Sequence, residues 1–354
     1  MPVSARTPAP GPAYLQCPTA YESGDLVQPS IYDFVFRFSA VLWEAMPFVV
    51  LGALVAGILE EFLPQEFLTR LLPKSVLPAV MIGALLGLLF PMCECGIVVV
   101  MRRLLRKGLP LSCCIAYMLA GPIINGVVIF STWVAFAGHQ IGPEMVGLRV
   151  GMAFVVACVT GLIVHLQFKK YGYALLNPLT IPPAPPATNA NPDAVPTEPP
   201  ARQPFLRRLG NISATALHDF VDIMVFLILG CVLAALARQY ITENDIQAIS
   251  RDQPFLAIPA MMLLAVVMCL CSEADAFVAA SFTKMHTSAK VAFLVLGPML
   301  DLKLVLMYTR VFKLRLIVTI ATCVVVQVLA YCVLLHLVYQ WNKWTGMSGS
   351  AVGA

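Results

Sequence analysis

Apolar residues gather in long runs along this chain, and polar residues fall mainly between them. The runs are Ala40 to Leu59, Val76 to Phe90, Leu109 to Gly138, Val146 to Phe168, Phe220 to Ala237, Phe255 to Leu270, Val291 to Tyr308 and Leu316 to Leu337. Crossing bilayer hydrocarbon takes about 20 apolar residues, fewer where a polar break shares the crossing. The pattern predicts an all-α multipass membrane protein with about eight hydrophobic segments. Outside the runs, residues 1–30 are rich in proline and small residues and predict a flexible N-terminal tail, without the apolar core of a cleaved signal. Residues 171–210 include the proline-rich stretch NPLTIPPAPPATNANPDAVPTEPPARQP and predict a linker; residues 343–354 predict a C-terminal tail. Lys169, Lys170, Arg202, Arg207 and Arg208 flank the linker and place it on the cytoplasmic side.

The linker separates two membrane portions, 31–170 and 211–342, that resemble each other. Met92-Cys93-Glu94-Cys95 matches Met268-Cys269-Leu270-Cys271, and MLAGPIIN (118–125) matches LVLGPMLD (294–301), both at an offset of 176 residues. Ser112 with Ser288 and Ala116 with Ala292 keep the same offset. This predicts an internal duplication of four hydrophobic segments per half, a plan that puts binding sites between repeats near mid-membrane. Basic residues at Arg102 to Gly108 and again at Arg310 to Arg315 favour repeats of opposite orientation, which makes each Cys motif the tip of a re-entrant hairpin. The rival is four plain crossings per half in parallel orientation.

Composition agrees with the pattern: 59% of residues are hydrophobic and 12% are charged, against about a quarter charged in soluble domains. The net charge of +4 sits in short loops beside apolar runs, which suits orientation in a membrane and gives no reason to expect nucleic acid. The 11 cysteines do not form a secreted disulfide pattern. The expected surroundings are the lipid bilayer, with the plasma (inner) membrane as location; no cofactor is implied, and the oligomeric state is not legible.

Two kinds of interruption inside the apolar runs carry the candidate chemistry. The first is the C-x-C motif. Residues two apart share a side only in extended backbone, so Cys93 and Cys95 meet one ligand only if the helix unwinds there. Pro91 and Gly96 favour unwinding. Non-helical backbone at membrane depth survives only when buried in protein or lining a cavity. Duplication could then bring Cys93, Cys95, Cys269 and Cys271 toward one centre, where thiolates select soft ions. Packing alone is the competing account of these cysteines. Glu94, Glu273 and Asp275 are ionisable groups inside apolar sequence, a placement that usually marks an ion or proton pathway. Ser272 with Asp275 three residues on also fits a capped helix start.

The second interruption is Gly121-Pro122 and its counterpart Gly297-Pro298. Each proline frees a carbonyl four residues earlier, on Met118 and Leu294. Asn125 and Asp301 lie one turn beyond and are candidate substrate ligands. Lys303 falls on a different helix face from Asp301, so no salt bridge between them is expected. His139, His165, His218, His286 and His336 have no ligand spacing and no metal role is assigned to them.

FPMCECGIVVVMRRLLRKGLPLSCCIAYMLAGPIIN, with CLCSEADAFVAASF and LGPMLDLKLVLM, resembles the predicted permease family that includes ArsP and YraQ. The resemblance runs from about Leu42 to Leu337. It implies an integral membrane permease, and its ArsP branch is associated with efflux of trivalent organoarsenicals. By resemblance Cys93, Cys95 and Gly96 correspond to the family's first motif, and Ser272, Glu273, Ala274 and Asp275 to its acidic second motif. The chain departs from the family at Val99 and Gly126, where proline is common.

The expected function is a secondary transporter, not an enzyme, exporting a soft metal, metalloid or organoarsenical-like substrate. A membrane thiol oxidoreductase and a ligand-binding sensor are the alternatives. No G-x-x-x-x-G-K-[ST] phosphate loop is present.

Overall fold

A computed structural model of the chain describes residues 31–62, 75–89, 92–138, 141–177, 213, 217, 220–221, 224–233, 235–236, 254–282 and 285–344. The expected N-terminal tail, most of the linker, the last ten residues, Pro91, His139 and His218 lie outside the described residues.

The helices are α1 (Ile31–Phe62), α2 (Val76–Leu89), α3 (Glu94–Arg106), α4 (Leu111–Ala120), α5 (Gly126–Ala137), α6 (Gly142–Tyr171), α7 (Met224–Leu233), α8 (Pro254–Met268), α9 (Ala274–Ser281), α10 (Thr287–Leu296), α11 (Leu302–Val311) and α12 (Leu314–Trp344). Among the described residues the only extended pairing is an isolated bridge between Leu176 and Phe312. The all-α expectation holds.

Among the described residues three helices are long and apolar enough to cross a membrane, over Phe34–Val55, Gly142–Leu175 and Leu314–Trp341. Large apolar side chains on them and their neighbours face outward: Phe36, Trp43, Phe130 and Leu166 are all exposed. Such a surface suits lipid, not water. The runs Leu109 to Gly138 and Val291 to Tyr308 are each two short helices rather than one, split at Gly121-Pro122 and Gly297-Pro298. Gly121 and Gly297 cap the helices before each split, both with α-type dihedrals.

Close glycine contacts set the packing. A Cβ on Gly83 would lie 2.5 Å from the carbonyl of Cys113, and one on Gly87 2.6 Å from the Cα of Gly121, so α2 runs beside α4 in the same direction. Ile97, near the start of α3, packs against the same Gly121. The end of α2 and the start of α3 therefore meet at the end of α4. Gly52 of α1 abuts the backbone of Gly96, where a Cβ would approach Gly96 Cα to 2.6 Å. Gly96 thus lies inside a helix and serves close packing, contrary to the helix-breaking role expected of it.

α6 and α12 run antiparallel. Tyr339, near the end of α12, donates to the carboxylate of Glu144 near the start of α6. Gln167, near the end of α6, donates to Thr319 near the start of α12 at 3.0 Å. α4 begins beside the later part of α6, where Gly161 meets Ser112 and Ala116. α10 begins beside the end of α12, where Ser288 meets His336. Hence α4 and α10 point in opposite directions.

Basic residues collect at one end of the molecule. Lys169 and Lys170 end α6, and Lys313 and Arg315 lie at the start of α12. Arg315 stacks over the Tyr171 ring at 4.3 Å. Arg102 and Arg310, on α3 and α11, line one small pocket with Val98, Phe226, Met307 and Val311. The chain after α6 is pinned here: Asn177 N–H donates to Val311 O at 3.1 Å, and Lys313 N–H to Leu175 O at 3.0 Å.

Candidate functional site

The broken segments meet in a buried polar centre. Cys93 is extended, with φ −74° and ψ 170°, and forms the N-cap of α3, while Glu94 and Cys95 already lie in the first turn. The break is therefore narrower than the expected unwinding of the whole motif. The two thiols lie within electrostatic reach of each other. Across the centre, Cys269 adopts φ 47°, which a non-glycine residue rarely takes. The backbone from Cys269 to Cys271 is non-helical and α9 starts at Ala274.

The four thiols do not form one ligand set. Cys269 Sγ donates to Val266 O at 3.3 Å, and Cys271 Sγ accepts from Ala274 N–H at 3.4 Å. Among the described residues no three His, Cys, Asp or Glu side chains are arranged to hold a metal ion. The expected cap from Ser272 is not made either. Its Oγ is buried without a hydrogen-bond partner, and the Cys271 sulfur takes the N–H at the start of α9 instead.

Asn125 and Asp301 are both N-caps. The Asn125 side chain accepts from Val128 N–H at 2.9 Å and donates to the carbonyls of Gly121 (3.3 Å) and Pro122 (3.1 Å). It stitches its own break together, leaving little for a ligand. Asp301 Oδ1 accepts from Leu304 N–H at 2.6 Å. Its second oxygen, Oδ2, is buried without a hydrogen bond and lies 3.7 Å from Lys303 Nζ. That contact corrects the expectation of no pairing: the N-cap residue leaves the helical path, so its carboxylate swings toward the side chain two residues on.

Two cations cross between the portions of the chain. Lys303 Nζ donates to Glu94 Oε1 at 3.0 Å and to Cys269 O at 3.4 Å. Cys95, Cys269 and Asp301 all lie within its electrostatic reach. Arg149, on α6, donates to Thr132 Oγ1 (2.7 Å), Ser272 O (2.7 Å) and Leu294 O (3.2 Å). Leu294 O is one of the carbonyls freed by a proline, and a guanidinium now satisfies it. Asp275, Cys271 and Glu94 lie within electrostatic reach of Arg149. Asp275 packs against Gly297, where a Cβ would lie 2.9 Å from its Oδ2. Glu94, Arg149, Asp275, Asp301 and Lys303 are each at most 2% exposed. Their formal charges are three negative and two positive. Glu273, at the N-cap of α9, is half-buried.

Sequence reasoning did not name Arg149 as part of the site and set Lys303 aside. The usable signal was a lone cation within an apolar run, which by default marks a functional position. His286 and His336, far apart in sequence, stack edge to face with ring centroids 5.3 Å apart, and Ser288 bonds His336 Nδ1 at 3.3 Å.

Long apolar helices, interrupted helices between them and a buried charged centre define an all-helical integral membrane protein. The family model ArsP_1, described as "Predicted permease", matches residues 31–337, and the chain belongs to that permease family. "UPF0718 protein YcgR" of Bacillus subtilis (strain 168) is 37% identical over 294 residues, covering 83% of this chain and 93% of that protein. A "Putative two-component membrane permease complex subunit" of Streptococcus mutans serotype c is 30% identical over 306 residues, 86% of this chain and 95% of that protein. "UPF0718 protein YraQ" of Escherichia coli (strain K12) is 21% identical over 133 residues, 38% of this chain and 36% of that protein. No solved structure matches the chain.

Proposed function

We propose that the protein is a secondary transporter that exports a soft metal, metalloid or organoarsenical-like substrate through a site between two inverted repeats. The single observation that carries this reading is the buried centre itself. Thiols and carboxylates from two interrupted segments lie together where Lys303 and Arg149 link the two portions of the chain. Ionisable groups are costly inside a bilayer and persist there when they serve a pathway.

The repeat reading draws support from helix bounds. α4 and α10 both have ten residues and begin 176 positions apart, at Leu111 and Thr287, and α5 and α11 begin at the same spacing. Their opposite directions fit an inverted pair, and the collected basic end is then cytoplasmic. In this reading the Cys93–Cys95 pair captures the substrate, Cys269 and Cys271 complete its passage, and Glu94, Glu273 and Asp275 handle a proton or coupling cation. Buried thiols beside carboxylates disfavour a thiol oxidoreductase, which needs accessible thiolates. The name of the Streptococcus mutans relative favours one addition: the transporter works with a second subunit.

The test is a metal and metalloid resistance panel in a sensitive host, with membrane levels checked by immunoblot and export followed in everted vesicles. The intact chain should protect against at least one thiol-seeking compound. Cys93→Ser/Cys95→Ser and Glu273→Gln should lose that protection at equal expression. Mutants that protect as well as the intact chain would remove these residues from the site, and binding without flux would make the protein a sensor.

A further inference from the structure

The surroundings of Lys303 are those of an ion site with the lysine sitting in it. Its ammonium faces three oxygens: Glu94 Oε1 at 3.0 Å, Cys269 O at 3.4 Å and Asp301 Oδ2 at 3.7 Å. All three are hard donors, the kind that hold alkali and alkaline-earth cations, whereas the neighbouring thiols suit soft ions. Two features are more than an ordinary salt bridge needs. Glu94 Oε2 and Asp301 Oδ2 are buried without hydrogen bonds, so the acceptors outnumber what one ammonium satisfies. Cys269 holds a left-handed dihedral that a side-chain-bearing residue adopts at a cost, and its carbonyl is the one that meets Lys303. Unwound carbonyls beside half-helices are a recurrent way to coordinate coupling cations in transporters.

We propose that Glu94, Asp301 and the Cys269 carbonyl form a site for a small hard cation such as sodium, and that Lys303 fills it as a tethered competitor when no ion is bound. This rests on the transporter reading for its role as coupling site. Glu94 belongs to the first portion of the chain and Lys303 to the second, so the ion pair also fastens the two together. A cation entering between the carboxylates takes them from the ammonium and releases that fastening. The other titratable groups within reach of Lys303 are Cys95 on α3, Cys269 itself, Cys231 on α7 and Asp275 on α9. The second fixed positive charge nearby is Arg149, within reach of Glu94 and Asp275.

The test follows thermal unfolding of the purified full chain in detergent, titrated with sodium chloride against choline chloride. A ligand that must first displace an internal competitor binds with an apparent affinity reduced by the fraction of open sites. Lys303→Met should therefore respond to sodium at concentrations about tenfold or more below those needed by the intact protein. Glu94→Gln/Lys303→Met should show no sodium response beyond choline. If Lys303→Met does not fold, Lys303→Arg decides instead: it pairs more firmly with carboxylates, so sodium should act about tenfold more weakly than on the intact chain. Equal responses to sodium and choline in Lys303→Met, a sodium response in Lys303→Arg as strong as in the intact chain, or a sodium response that survives in the double variant would overturn the proposal. A sodium response without export in vesicles would keep the ion site and sink the transporter reading; export with no sodium response would do the reverse.

Discussion

Replacing Arg149 with methionine tests whether the two portions of the chain are joined through the buried centre. Methionine keeps most of the volume and removes the guanidinium. Three hydrogen bonds disappear, to Thr132 Oγ1, Ser272 O and Leu294 O. Each bond from a charged donor contributes roughly 1.5–3 kcal/mol, but the three share one side chain and do not add. Asp275 is also left buried without its nearby cation. Removing one partner of a buried charged network costs roughly 3–5 kcal/mol, and we expect Arg149→Met to fall in that range. Arg149→Lys keeps the charge but loses the planar fork, which predicts a loss of about 1.5–3 kcal/mol. Arg149→Met/Asp275→Asn removes the orphaned carboxylate and should recover at least 0.5 kcal/mol, the lower end of coupling between neighbours, roughly stated. The assay is equilibrium unfolding in mixed micelles with increasing sodium dodecyl sulfate, read by circular dichroism. Should Arg149→Met unfold within about 0.5 kcal/mol of the intact protein, the behaviour of an ordinary surface change, the bridging role would be refuted.

Two further outcomes follow from the same contacts. Gly52→Ala places a Cβ against the Gly96 backbone and should destabilise by about 1–3 kcal/mol, lowering the amount recovered from membranes; Gly147→Ala, where a Cβ meets nothing within 4 Å, should leave that amount unchanged. Asn125→Ala loses the cap to Val128 and should cost about 1–2 kcal/mol in the unfolding assay, with Asn125→Ser recovering part of it; equal stability of the alanine variant would show that the break is held by other contacts.

Local chemistry was legible and long-range pairing was not. The apolar runs predicted helices because hydrocarbon leaves the backbone few options, and Pro122 and Pro298 marked the splits because a proline acts on its own helix. The partners of those splits came from elsewhere. Lys303 and Glu94 stand 209 positions apart, and Arg149 and Leu294 stand 145 apart, so no spacing rule reaches them. Direction was equally hidden. Within the second C-x-C motif Cys271 turns its sulfur to a helix N–H, displacing the cap expected of Ser272. Gly96 looked like a breaker within its own segment; its use became visible only with Gly52 against it.

The paired strand-like contact between Asn177 and Val311, and between Leu175 and Lys313, has a mechanical consequence. It rivets the exit of α6 to the junction of α11 and α12 at the lysine- and arginine-rich rim. A transport cycle that parted the two portions would pivot at that rivet, like the blades of shears about their pin. Such a movement would have to break the Tyr339–Glu144 hydrogen bond, which joins the other ends of α6 and α12 beside the His286–His336 pair.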